Sequence, residues 1–167
     1  MTMFRLVAAT SVFLATISGV SGQTPQPTTG DPTAIQGQQP GALSTEIAPG
    51  VTFEVIELRR MADKGVMQLK FRVTNASEAD TSLKDLGLAY THTLKDIPVI
   101  DFAAKKQYNI GHAATCLCST FKDNDGGVLR AGSTREFWAW YGLPPAGAKQ
   151  MAIQLPDQPP ITNIPLL

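Results

Sequence analysis

Residues His112 to Cys118 read HAATCLC and form the one cluster of thiols with a neighbouring imidazole in the chain. In an extended segment, side chains two apart point the same way, so Cys116 and Cys118 project together. Thiols so placed admit four chemistries. They could oxidise to a disulfide, the expected outcome in an oxidising compartment. They could stay as packed thiols. They could bind a soft metal such as Cu(I) or Zn(II), with His112 as a third ligand. They could also cycle in redox catalysis. Enzymes of that kind usually carry Cys-x-x-Cys at a helix start, and this pair is Cys-x-Cys without such a pattern.

A second candidate is aromatic. Trp138, Trp140 and Tyr141 close the run STREFWAWY and could form a binding surface, the alternative being that Phe137 and one Trp fill the core. The remaining signals are negative. His92, between Thr91 and Thr93, reads as a surface or packed histidine. No Gly-x-Ser-x-Gly, His-Glu-x-x-His, Walker loop or dinucleotide fingerprint occurs. Asp123-Asn124-Asp125-Gly126-Gly127 hints at calcium but lacks the later ligands and glycine spacing of an EF-hand. The methionines are scattered, so a Met-rich copper site is not indicated. No catalytic residue and no cofactor is expected.

The elements that must carry these residues read as strands. Val51 to Arg60 places Val51, Phe53, Val55 and Glu57 on one face, with Thr52, Glu54, Ile56 and Leu58 on the other. Asp63-Lys64-Gly65 is a turn, and Val66 to Asn75 alternates Met67, Leu69, Phe71 and Val73 against polar residues, which predicts an antiparallel hairpin. Asn75-Ala76-Ser77 fits a glycosylation sequon but reads as a polar turn. Leu83 to Tyr90 fits a short strand or a short helix equally. Further short strands are expected at Ile97 to Phe102, Gln107 to Ile110, Ser133 to Tyr141, Met151 to Leu155 and Ile161 to Leu167. Many short strands with turns between them predict an all-β sandwich or barrel.

The start of the chain predicts export. Arg5 supplies a positive charge, Leu6 to Val20 an apolar core, and Val20-Ser21-Gly22 a cleavage site before Gln23. The core is about 15 residues, short of the roughly 20 a spanning helix needs. Residues 1–22 therefore read as a signal peptide, and no membrane span is expected after cleavage. No cysteine near the cut predicts a lipid anchor. Residues 23–44, rich in Pro, Gln and Thr, read as a disordered linker that cannot bury enough apolar surface to offset its ordering entropy. Residues 45–167 form a single domain. Removing residues 1–22 removes Arg5 and no acid from a chain with 14 bases and 14 acids, leaving a net charge near −1. Nucleic acid and anionic membranes are not expected partners.

Several phrases, in order, carry a resemblance. They are Phe71-Arg72-Val73-Thr74-Asn75, Cys116-Leu117-Cys118-Ser119, Leu129-Arg130-Ala131-Gly132, Leu143-Pro144-Pro145-Ala146, and Leu155 to Leu166. Across residues 51–167 the chain resembles the immunoglobulin-like β-sandwich domains of exported bacterial proteins, some of which precede an OmpA-type peptidoglycan-binding domain. The resemblance implies a sandwich with a non-catalytic accessory role. The peptidoglycan-binding domain of the two-domain members is not expected here, and neither is wall anchoring. The leading expectation is an exported, periplasmic or secreted module that contacts an unidentified cell-envelope protein. The alternative is a periplasmic metal-handling protein using His112, Cys116 and Cys118.

Overall fold

The computed structural model describes residues 43–122 and 126–167. The expected signal peptide, all of the expected linker but Leu43 and Ser44, and Asp123-Asn124-Asp125 of the calcium-like turn lie outside them. Among the described residues all regular structure is β, apart from one turn of 3-10 helix at Ala62–Lys64. No described helix is long and apolar enough to cross a membrane.

The first sheet is built from β1 (Leu43–Ala48), β2 (Val51–Met61), β3 (Val66–Asn75) and a late strand, β8 (Thr134–Gly142), in the order β1-β2-β3-β8. Every neighbouring pair is antiparallel. Gly65, at φ 66, closes the β2–β3 hairpin in the left-handed conformation that glycine adopts without strain. β3 alternates as its sequence predicts, with Met67, Leu69, Phe71 and Val73 buried.

β2 departs from its predicted pattern. Val55 faces Phe71 and Glu57 faces Lys70, so Ile56 is an extra residue in a β-bulge. An added residue shifts the two-residue alternation by one. Beyond the bulge Leu58 turns inward and is 1% exposed, while Glu57 turns outward, the reverse of the simple alternation.

β1 also begins two residues inside the expected linker. Leu43 and Ser44 pair with Val55 and Glu54, and Leu43 and Ile47 pack against the core.

The second sheet runs β10-β9-β5-β6, from β5 (Val99–Asp101), β6 (Lys106–Tyr108), β9 (Gln150–Ile153) and β10 (Ile161–Pro165). A two-strand ladder joins β4 (Thr81–Ser82) to β7 (Val128–Leu129). Between the two larger sheets lies one continuous core. Phe53, Phe71 and Phe137 stack in series with centroids 4.8 and 5.4 Å apart, and Phe121 meets Phe137 edge-on at 6.2 Å. Val99, Met151, Ile153 and Ile164 from the second sheet belong to the same cluster. The result is an antiparallel all-β sandwich.

Both corners of the sandwich are stitched by hydrogen bonds. At one, Leu167 donates to Leu58 and accepts from Arg60 at 2.9 and 2.7 Å, continuing β2 where β1 has ended. At the other, Ile110 bridges Tyr141 and the Gly111 N–H reaches the Trp140 carbonyl at 2.7 Å.

The ambiguous Leu83–Tyr90 segment is neither strand nor helix. A single turn forms, with Leu86 N–H on the Ser82 carbonyl and the Asp85 N–H on Ser82 Oγ, and Gly87 at φ 73 ends it. Its apolar residues Leu83 and Leu88 are buried without helical periodicity. Gly127 lets this turn approach β7: a Cβ there would meet the Phe121 ring at 3.0 Å and Leu83 at 3.2 Å. Asn75 is fully buried, its amide donating to the carbonyls of Ala79 and Leu129 at 2.8 and 3.1 Å. The nitrogen that glycosylation would modify is therefore engaged inside the fold, as a turn residue's would be.

Candidate functional site

The Cys-x-Cys segment lies along the open edge of β8. Trp140 N–H donates to Leu117, Ser119 N–H donates to the Trp138 carbonyl, and Cys118 bridges Ala139. Gly111 and Leu117 close a small loop through the Leu117 N–H; His112 is exposed and bridges Cys116, and the loop turns at Ala113 to Thr115. Cys116 and Cys118 are joined as a disulfide, their Cα atoms 5.3 Å apart. With both sulfurs spent on each other, neither is a thiolate for a metal or an electrophile. No group of three or more His, Cys, Asp or Glu side chains among the described residues could hold a metal. Cys116 and Cys118 thus form the disulfide expected of them, beside an exposed histidine, and the alternative His112–Cys116–Cys118 metal site finds no support in this geometry. His92 is likewise exposed, and its backbone carbonyl accepts from Phe121.

The aromatic candidates separate. β8 alternates, so Tyr141 falls on the same side as Phe137 and Ala139 and is 1% exposed. Its hydroxyl donates to the Ile97 carbonyl at 2.9 Å. Burial, and then the charge of Asp96, push its pKa up, so it stays protonated. Tyr141 is thus a core residue, a correction to the expected surface trio. The opposite correction applies to the tryptophans. Neither fills the core: Trp138 is 38% exposed and Trp140 half-buried, on the outer face of the sheet.

Strand register arranges that outer face in rows across β2, β3 and β8. Thr52, Thr74 and Thr134 form one row, and Glu54, Arg72 and Glu136 the next. Glu57, Lys70 and Trp138 follow, then Arg59, Gln68 and Trp140. The bulge at Ile56 is what places Glu57 and Arg59 in this pattern. Arg72 is bridged to Glu136 at 2.8 Å and to Glu54 at 3.3 Å. Its hydrogen bond to Glu136, with the charge of Glu54, raises its pKa and keeps it a cation. The two indole rings lie 5.6 Å apart and tilted by 50°. Lys64, from the hairpin turn, sits 5.5 Å over the Trp140 ring. The Trp140 Nε1–H is buried without a hydrogen-bond partner. Gln68, Lys70, Glu136 and the two tryptophans line a shallow groove of about 300 Å³.

A larger hollow of about 600 Å³ opens beside the β5–β6 turn. Its buried carboxylate, Asp101, accepts the Ala104 N–H of its own turn at 2.9 Å, a structural use. The remainder of its lining is alanine, glycine and proline with Lys149 and Gln150. The tryptophan face differs in setting two indoles beside polar and charged side chains. Register placed it; the only sequence signal was the alternation Glu136, Trp138, Trp140. The flanking Lys64 and Gln68 could not be assigned to it before the hairpin pairing was known.

No protein-family model, no curated protein and no solved structure matches the chain.

Proposed function

We propose that this chain is an exported, non-catalytic, immunoglobulin-like sandwich of the cell envelope that works by protein contact through the outer face of its first sheet. One observation carries the reading. The two tryptophans are placed side by side on that face although the same strand sends Phe137 and Tyr141 into the core. Tryptophan and arginine dominate the energetics of protein interfaces, and leaving Trp138 38% exposed and Trp140 partly exposed forgoes burial worth about 1–2 kcal/mol each. Export supplies the oxidising setting in which a Cys116–Cys118 disulfide persists.

The test is co-purification from envelope fractions with the tagged chain and its Trp138→Ala and Trp140→Ala variants. A partner recovered by the native chain and lost from both variants supports the reading. Equal recovery by native chain and variants, or no reproducible partner, overturns it.

A further inference from the structure

We propose that the Cys116–Cys118 disulfide is a thiol-exchange site that oxidises a dithiol, with Cys116 as the sulfur attacked and His112 as the proton carrier. The tryptophan face takes no part in it. Ring size is the first support. The bond spans a single residue, Leu117. A crosslink stabilises a fold through the loop entropy it removes from the unfolded chain, least for the shortest loops. By the same linkage the fold opposes the opening of this bond only weakly.

Access separates the two sulfurs. Cys118 is 3% exposed, whereas Cys116 is partly exposed and follows the exposed run His112 to Thr115. Exchange depends on which sulfur a thiolate can reach, so Cys116 is the sulfur attacked and Cys118 the one that leaves. The residues on either side of Cys118 are seated on β8. Leu117 accepts from the Trp140 N–H and Ser119 donates to the Trp138 carbonyl, both at 2.9 Å.

Backbone pairing puts the imidazole beside the attacked sulfur. His112 and Cys116 are antiparallel partners. The bonds that make the pair lie on either side of it, from the Leu117 N–H to the Gly111 carbonyl at 2.8 Å and from the Ala113 N–H to the Thr115 carbonyl at 3.0 Å. That is the closer of the two antiparallel pairings, in which side chains share one face with Cβ atoms roughly 4.5–5.5 Å apart. An imidazole can take and return a proton near neutral pH.

In the transfer, His112 takes the proton of the first substrate thiol, and the thiolate attacks Cys116 Sγ. A bond from substrate to Cys116 forms as the Cys116–Cys118 bond breaks. The electron pair leaves on Cys118, which takes the proton from the imidazolium. The second substrate thiol then attacks the substrate sulfur of the mixed disulfide, and its proton passes to the departing Cys116. Two electrons and two protons move from the dithiol to the cysteine pair, and each chain serves one dithiol.

The whole oxidised chain, at low micromolar concentration under argon, would be mixed with a reduced two-cysteine peptide or with dihydrolipoate as a small dithiol. Acid quenching and intact mass follow the thiols gained and lost. The expected result is oxidation of a dithiol by the folded chain, one for one, and the faster of the two probes names the source. Reaction only after urea has unfolded the chain, or with neither probe, overturns the inference. Single-cysteine variants assign the sulfurs. Cys118→Ser, which keeps Cys116, should react with an aromatic disulfide reagent at least about tenfold faster than Cys116→Ser. Equal rates overturn Cys116 as the sulfur attacked. His112→Ala should slow dithiol oxidation at least about tenfold, with added imidazole restoring the rate, a rescue that a structural loss would not show. An unchanged rate removes His112 from the transfer and leaves the exchange site standing. None of these substitutions touches Trp138 or Trp140, so the co-purification test decides the tryptophan face independently.

Discussion

On the inner side of β8, Phe137, Ala139 and Tyr141 are each at most 3% exposed. The two aromatic rings have fixed partners there: Phe137 stacks on Phe71, and the Tyr141 hydroxyl is held by Ile97. On the outer side of the same strand, Glu136 and Trp138 meet solvent and Trp140 keeps an indole N–H that nothing satisfies. The two sides have similar aromatic content but opposite accounting of polar groups. Hydrophobic composition therefore does not distinguish a packing face from a contact face here. On this strand the polar atoms do, since the Tyr141 hydroxyl is bonded and the Trp140 indole N–H is not, although elsewhere in the core the Tyr108 hydroxyl is also buried without a partner among the described residues.

Substitutions can break this comparison, beginning with the inner face. Phe71→Ala removes the middle ring of the phenylalanine stack and should cost about 3–5 kcal/mol in urea unfolding. A cost under about 1 kcal/mol would mean that the stack is not the core's centre. Tyr141→Phe keeps the ring and deletes the bond to Ile97, leaving a buried carbonyl unpaired, for about 1–3 kcal/mol.

The same tyrosine also makes a pH signature. Its folded pKa lies above its ordinary value of 10.0, so the folded state holds the proton more tightly than the unfolded one. Its contribution is complete below pH 10 and is lost as pH rises beyond that value. The native protein should lose about 1.4 kcal/mol per pH unit more than Tyr141→Phe does in that window. Parallel stability curves for the two proteins would contradict the buried, protonated assignment.

Cys116→Ser with Cys118→Ser opens a very short loop and should cost about 1–2 kcal/mol, read as a shift in the urea midpoint that matches the effect of reductant on the native protein. Trp138→Ala, on the outer face, should cost about 1 kcal/mol of strand propensity and ring contact, well below the cost of Phe71→Ala, while abolishing partner recovery. A large loss of stability instead would move Trp138 to the packing side of the comparison.

Much of this was legible in the sequence where burial repeats with the strand period. β3 and β8 show their faces directly, since Met67 to Val73 and Glu136 to Tyr141 alternate without interruption. β2 does not, because VTFEVIELRR is apolar in both phases and the bulge at Ile56 is decided by Leu58 finding the core and Glu57 finding Lys70. β1 was hidden by its neighbours in composition, although Leu43, Thr45 and Ile47 have the strand period. The turn at Ser82–Gly87 mixes a serine cap with apolar residues that serve long-range contacts, so local propensity could not classify it. The Cys-x-Cys pairing was readable as a candidate disulfide, but its seat against β8 was not, since nothing local in residues 110–120 refers to a strand that follows later. The ion-pair rows are similarly invisible until three strands are in register.

The seat of that segment has a consequence for solubility. β8 is the last strand of its sheet, and a bare last strand offers unpaired N–H and C=O groups to any other chain, including another copy. Here Gly111, Leu117 and Ser119 occupy those groups. The disulfide ties the loop that supplies them. Reducing agent should therefore show itself less as unfolding than as slow self-association, with light scattering rising at concentrations where the oxidised protein stays clear.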